Sequence, residues 1–425
     1  MSIFSTIHIT RCARPILLAT LSLTLPSVAS ADGASDALIA LSLDDAAALA
    51  IQRQPQLDAL DAEARSARQR AIAAGELPDP RLSLGISDLT LEGSNRFTLR
   101  EESDTQIMAG IRQDFPRADK RRLKRERAEH EADTFDAERL ATERKIARET
   151  GLAWLDVWKA EESRRLANRT LAEAERQVQA TEIAYTAGRG TQAEFLAAKV
   201  EAEALRDEIA GFAQQSRHYR NGLARWIGEA AFNPICPELP PETPPDAAAL
   251  SAALLTHPHF LAEGKKVVTA ETDVQLARQD YRPDWALTVG YGHRPEFADY
   301  AQVQVEIPLP VFTARRQDPQ LEAAVGMQAS QQARLDDALR EHRAEIRANA
   351  DDWQLLQERL ARYDSLLLQQ AESRVNAALA AYGAGSGALR EVLDARRRAL
   401  EIAMQKLDLQ ADSARHQVQL RYFAP

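Results

Sequence analysis

Four short stretches of strict apolar–polar alternation, arranged as two pairs, set the tightest limit on what this chain can fold into. In the first pair Leu82, Leu84 and Ile86 alternate with Arg81, Ser83 and Ser87, and Ile107, Ala109 and Ile111 with Gln106, Arg112 and Asp114. In the second pair Trp285, Leu287, Val289 and Tyr291 alternate with Ala286, Thr288, Gly290 and Gly292. Val303, Val305, Ile307 and Leu309 then alternate with Gln302, Gln304 and Glu306. A period of two marks strands with one apolar and one polar face, expected at about 81–91, 104–115, 284–292 and 301–310. Runs of about 8–10 residues suit a tilted transmembrane strand, which needs about 9–11. In lipid an open sheet edge leaves backbone groups without partners, so four strands cannot span a bilayer alone. Bacterial barrels start at about eight strands; two copies supply eight and three supply twelve, and strand arithmetic leaves both open. A small water-soluble sheet capping a helical bundle is the competing fold.

The pairs belong to an internal duplication. A shift of 203 brings Pro55-Gln56-Leu57 onto Pro258-His259-Phe260 and Pro80 onto Pro283. A shift of 197 brings Ala184–Ala202 onto Ala381–Ala399 with nine of nineteen positions identical, Tyr185/Tyr382, Gly188/Gly385, Gly190/Gly387 and Glu194/Glu391 among them. A repeat of roughly 200 residues is far longer than the units of solenoids, about 20–50 residues. The expected organisation is a first repeat over 32–233 with a helical hairpin at about 118–228. A Pro-rich linker over 234–245 and a second repeat over 246–425 follow, with a hairpin at about 318–421. Each repeat reads helix, strand, strand, long helix, turn, helix.

Ala64, Ala67, Ala71 and Ala74, with counterparts Val267, Ala270, Val274 and Ala277, have the three-four spacing of a small-residue seam, shared with any short amphipathic helix. No proline and only Gly151 among glycines interrupt 118–184, so that arm reaches on the order of 100 Å at about 1.5 Å per residue. The second arm, at about 320–382, carries Leu356, Leu360, Tyr363 and Leu367 as a heptad-like stripe. Each arm reverses at a Gly-x-Gly, where glycine accepts the positive φ of a helix C-terminus. With 45% hydrophobic but only 6% aromatic residues, the composition is that of long helices.

Met1–Ala31 has the form of a secretory signal: Arg11 and Arg14, an apolar run from Ile16 to Leu25, and Ala29-Ser30-Ala31 before Asp32. Its removal would take the net charge from −10 to −12, since the segment holds two arginines and no acid. Cys12 precedes the apolar run and cannot be a lipidated cysteine of a lipoprotein signal. Cys236 then stands alone, which excludes an internal disulfide. The acidic balance and the export signal argue against nucleic acid as a partner.

The duplication, the strand pairs and the tyrosine–glycine turns together resemble the TolC-type outer-membrane efflux proteins over essentially 41–423. Ala74-Gly75-Glu76-Leu77-Pro78-Asp79-Pro80 and Gln113–Arg122 resemble the heavy-metal (cobalt–zinc–cadmium) branch in particular. The resemblance implies a mainly α protein with a transmembrane β part. It implies a homotrimer sharing a twelve-stranded barrel in outer-membrane lipid and a long α-helical coiled-coil tunnel in the periplasm. It further implies docking through a periplasmic adaptor to an inner-membrane pump, passive conduction, no catalysis and no cofactor.

The resemblance also implies site residues. Glu391 and Asp394, three apart on one helix face, match acidic positions ringing the periplasmic entrance of such tunnels, where three copies favour cations; a plain solvated helix face is the alternative. Glu194 and Tyr382 match two members of a closing network whose arginine position is Gly387 here, leaving Arg189 and Arg390 as candidate substitutes. Gly188, Gly190, Gly385 and Gly387 shape the turns on which an adaptor would dock. Arg117, Lys120, Arg121, Arg122, Lys124, Arg125 and Arg127 follow the second strand. They read equally as a membrane-interface cluster reaching lipid phosphates and as a face paired with Asp119, Glu126 and Glu129. His257 and His259 lack the third ligand a zinc site requires, so no metal site is expected. No phosphate loop, H-E-x-x-H or nucleophile elbow occurs. The resemblance points to metal cations as cargo, with drugs or other small molecules as the alternative. A periplasmic adaptor or scaffold is the competing function, but an adaptor needs one hairpin, not two with strand pairs.

Overall fold

The computed structural model describes residues 40–424; the expected signal segment lies outside the described residues. Helix α1 (Leu43–Arg53) opens on Ser42, whose hydroxyl accepts from the Asp45 amide. Two helices, not one, precede the first strand. Gln54, ahead of Pro55, is extended (φ −84°, ψ 113°), and α2 (Pro55–Gly75) starts afresh with proline at its first position. That is the physical signature of X-Pro: the ring excludes the helical region for the preceding residue, yet fits a helix's first turn. Strands β1 (Arg81–Ser87) and β2 (Gln106–Phe115) lead into α3 (Ala118–Thr186), 69 residues long, which returns as α4 (Gln192–Ile227). The second repeat runs α5 (Ala247–Ala253), α6 (Pro258–Gln279), β3 (Trp285–His293), β4 (Tyr300–Glu306) and α7 (Gln317–Arg362). A π turn over Tyr363–Leu367 then joins α7 to α8 (Leu368–Gly383), and α9 (Leu389–Tyr422) closes the chain. Two strands stop short of their sequence-based ends. Asp88 turns to φ +55° after β1, and Pro308 and Pro310 beyond β4 have no N–H for a ladder.

The four strands form one antiparallel sheet in the order β1-β2-β3-β4. Leu82, Ile111, Val289 and Val303 lie abreast across all four, as do Leu84, Ala109, Tyr291 and Ala301. One face is therefore apolar from edge to edge, and Leu84 is 73% and Val303 70% exposed on it. The opposite face carries Ser83, Gly110, Gly290 and Gln302. On that face Arg112 bonds Asp114 at 3.0 Å and also pairs with Glu306. An apolar row this exposed is the reverse of a water-soluble sheet, whose apolar face packs on a core.

The helices nearest the sheet repeat its order: α2 packs on α3, α3 on α6, and α6 on α7. The small-residue seam mediates this, with Ala64, Ala67 and Ala71 at 3% exposure or less and Val267, Ala270 and Val274 also buried. No helix among the described residues is long and apolar enough to cross a membrane.

Midway along the long helices the chain's core gathers on Trp154, Leu155, Val157 and Trp158 of α3. The Pro-rich stretch is bound into it. Leu41 bridges Ile235, the Trp154 indole donates to the Leu41 carbonyl (3.0 Å), and that of Trp158 to Pro237 (2.9 Å). Glu242 accepts three hydrogen bonds, from Trp353 (2.8 Å), Gln357 (2.5 Å) and Ser413 (2.6 Å). A linker without helix or sheet is thereby held by side chains of α3, α7 and α9, which answers the demand for partners that buried polar groups make.

Candidate gate at the helical turns

The two reversals have the same backbone. At the first, Gly188 takes φ +69°, and the amides of Arg189 and Gly190 both donate to the Ala184 carbonyl (2.9 and 3.0 Å). At the second, Gly385 takes φ +74°, and the amides of Ser386 and Gly387 donate to Ala381 (2.9 and 3.0 Å). A Cβ at Gly190 would sit 3.1 Å from that of Ala184, and one at Gly387 would sit 3.0 Å from that of Ala381. The glycine at 387, where the family resemblance implies an arginine, is thus accommodated by a turn wound tightly on its own helix end.

The helices leaving the turns differ at one residue with consequences for both acids. Thr191 caps α4: its hydroxyl accepts from the Glu194 amide (3.2 Å), while the Glu194 carboxylate accepts from the Thr191 amide (2.9 Å) and hydroxyl (3.0 Å). This reciprocal capping box occupies Glu194 within its own helix end. The equivalent of Thr191 is Ala388, which has no side-chain cap to offer. Glu391 is left exposed, and no ion pair involves it among the described residues. The duplication thus turns one glutamate into a cap and frees the other. The Thr-x-x-Glu pattern carried this information in the sequence; its bearing on a gate did not follow from spacing.

Tyr382 and Tyr185 have also diverged. Tyr382 packs half-buried with Ala198, Leu389 and Val392, where burial, and then the Glu194 charge, push its phenol pKa up. Tyr185 is exposed and stacks on Phe195 at 6.3 Å. The structure brings Tyr382 and Glu194 together but supplies no arginine between them. Arg390 reaches along its own helix to Asp394 (3.7 Å), with its side chain 90% exposed, and Arg189 has no ion pair among the described residues. Glu391 and Asp394 are both exposed.

The basic run after β2 is largely paired inside the chain. The Arg117 amide donates to Asp284 (2.9 Å), and Lys120 pairs with Asp280 (2.8 Å) and Asp284 (3.3 Å). Arg121 donates to the Gly75 carbonyl (3.1 Å), Arg122 pairs with Glu126 and Asp119, and Arg125 with Glu129 (3.3 Å). Arg127 reaches Asp273 at 2.5 Å. These bonds tie the start of α3 to the loop entering β3 and to the end of α2. Lys124 has no ion pair among the described residues.

His257 and His259 do not form a metal pair. The His257 ring, 2% exposed, faces Tyr422 with Nε2 at 2.8 Å from the Tyr422 carbonyl, and its Nδ1 accepts from the His259 amide (3.3 Å). One contact requires N–H and the other a lone pair, which selects a neutral tautomer. Burial depresses its pKa from 6.5 to about 4. Among the described residues no group of three or more histidine, cysteine or acidic side chains could hold a metal ion.

The family model for the outer membrane efflux protein matches residues 46–229 and 249–423, one stretch in each repeat with the Pro-rich segment outside both. Comparison with curated proteins finds no match. Among solved structures, the outer membrane protein VceC from Vibrio cholerae superposes with a TM-score of 0.74 at 21% identity, over 90% of this chain and 95% of its own. CusC, a protein that forms a transmembrane channel, superposes with a TM-score of 0.75 at 17% identity, over 91% and 93%. The MtrE outer membrane channel of Neisseria gonorrhoeae gives 0.70 at 20% identity, over 90% and 88%. These likenesses establish a shared fold, and with the match in both repeats the chain belongs to the outer membrane efflux protein family.

Proposed function

We propose that three copies of this chain join their sheets into one twelve-stranded barrel in the outer membrane and their helices into a periplasmic tunnel. The assembly is then a passive exit conduit that an inner-membrane pump feeds through a periplasmic adaptor. The observation that carries this is the apolar face running unbroken from β1 to β4, with neither outer edge paired among the described residues. Lipid is the solvent such a face fits, and closure on other copies is the only way to satisfy both edges there. The polar face then lines the lumen, with Arg112 and Arg81 balanced against Asp114 and Glu306. No chemistry is required of the chain.

Glu391 and Asp394 form the entrance ring in this reading, six carboxylates in the trimer that favour cations. Tyr382 and Glu194 pack the closed turn from behind, and the glycine turns present the tip to the adaptor. Heavy-metal cations are the cargo that this ring and the 74–80 and 113–122 segments favour. Most of the basic cluster braces the tunnel's junction with the barrel, and Lys124, exposed and without an ion pair among the described residues, faces lipid phosphate. Fractionation with heat-dependent gel mobility tests the reading. Recovery in the outer membrane as an oligomer that converts to monomer on heating is expected, and a soluble periplasmic monomer would reject it. Deletion screened against zinc, cobalt, cadmium, copper and drugs assigns the cargo.

A further inference from the structure

The hairpins hold a cation that is short of partners. Arg396 of α9 has its side chain only 13% exposed. One Nη donates to the Glu173 backbone carbonyl (3.2 Å), the Glu173 carboxylate stands 4.0 Å from Nε, and Nε itself has no hydrogen-bond partner. Burial lowers the pKa of this guanidinium, and the Arg176 charge lowers it further against the opposing pull of Glu173. A buried charge without a full set of partners is costly and calls for an explanation. The duplication sharpens the point, because the equivalent position in the first repeat is Lys199, which is exposed.

Arg396 lines a cavity of 640 Å³ between α3, α8 and α9. Arg169 and Arg176 stand on its α3 wall, and neither has an ion pair among the described residues. Glu173 and Glu372 are the only acids lining it, so the lining carries three cations against two anions. Leu368, Val375, Leu379 and Leu400 supply an apolar bed. The volume is that of a small-molecule site, and a guanidinium fork matches a carboxylate or sulfonate. From this geometry we propose that the α3–α8–α9 cavity is a binding site for a small amphiphilic organic anion. Its acidic head reaches the buried Nε side of Arg396 as the Glu173 carboxylate moves aside, and its apolar body lies along Leu368, Val375 and Leu379. Glu173, about half exposed, swings toward Arg169 and Arg176, which lie one helical turn away on either side of it.

The test is a fluorescence titration of the purified full-length protein in a nonionic detergent with 2-naphthalenesulfonate. Inorganic sulfate serves as the head alone and 2-naphthalenemethanol as the body alone. Saturable binding of the sulfonate is expected, with each partial probe at least tenfold weaker. Arg396→Gln should weaken sulfonate binding at least tenfold while Arg396→Lys retains part of it, with helical circular dichroism and oligomer size unchanged. Arg176→Gln, on an exposed part of the wall, should weaken it severalfold even where the Arg396 variant does not fold. Equal binding by wild type and either glutamine variant overturns the proposal, and so does a neutral probe or bare sulfate that binds as tightly as the sulfonate.

Discussion

Protonation of His257 should loosen the joint where the second repeat begins against the chain's C-terminal residues. Its ring, 2% exposed, packs among Phe260, Tyr422 and Phe423, bonds the Tyr422 carbonyl and caps α6 through Nδ1. Its pKa falls from 6.5 to about 4 on folding. A histidine depressed in this way contributes stability that is complete above pH 6.5 and is lost as the pH falls toward 4, because the opened state takes up the proton first. A difference of about 2.5 pKa units amounts to about 3 kcal/mol, on the order of a hundredfold in the opening equilibrium. His259, its pKa also lowered by burial and then by His342, acts in the same direction. The other charges facing the joint are Arg144, Arg148, Glu138, Glu263, Lys266 and Glu345. Glu345, held low by its bond to His342, loses its contribution only at more acid pH. The perturbation is His257→Asn, which keeps a capping oxygen and removes the titration. Hydrogen exchange of peptides covering 254–262 and 418–424, corrected for intrinsic rate, reads the local opening. Between pH 7 and 4.5 the wild type should lose about a hundredfold protection there, and the variant tenfold or less. Parallel pH profiles in the two proteins would refute the assignment.

Three further outcomes follow from the geometry. Gly188→Ala or Gly385→Ala forces a side chain into φ near +70° and should cost about 1 kcal/mol at that turn, seen as faster exchange of the hairpin tip with the barrel unaffected. Glu242→Ala takes the acceptor from Trp353 and Ser413, while Gln357 keeps its bond to Ser413, and should cost about 2 kcal/mol, read as a lowered midpoint of thermal unfolding; Glu242→Gln should recover part of it. Glu391→Gln with Asp394→Asn should lower cation over anion selectivity in planar-bilayer reversal potentials, while Glu194→Gln, in a capped helix end, should leave selectivity unchanged. Equal effects from both would remove the distinction between the two glutamates.

The fold was legible where a strict period or a copied motif spoke for itself. Alternation marked the four strands that pair in the sheet, and the Gly-x-Gly repeated at Gly188 and Gly385 marked the two reversals. The helix break at Gln54 is a local consequence of Pro55 and lies outside the stretch that the Ala64–Ala74 seam describes. The π turn at Tyr363–Leu367 left no mark, because it interrupts the ladder without disturbing the Leu356–Leu367 stripe. Pairing of the basic run needed Asp280 and Asp284, more than 150 residues away, which no local pattern could bring to Lys120. The capping of Glu194 was legible as Thr191-x-x-Glu194, and the exposure of Glu391 follows from Ala388 standing at the equivalent cap position. Arg396 looked like one of three consecutive arginines, and only packing separated it from Arg397 and Arg398.

Closure of the sheet by sister copies is tested most directly by native mass spectrometry of protein extracted from the outer membrane in mild detergent. Three chains per particle, dissociating together with loss of strand signal, is the expected result. A stable single-chain particle that keeps its four-stranded sheet would contradict it.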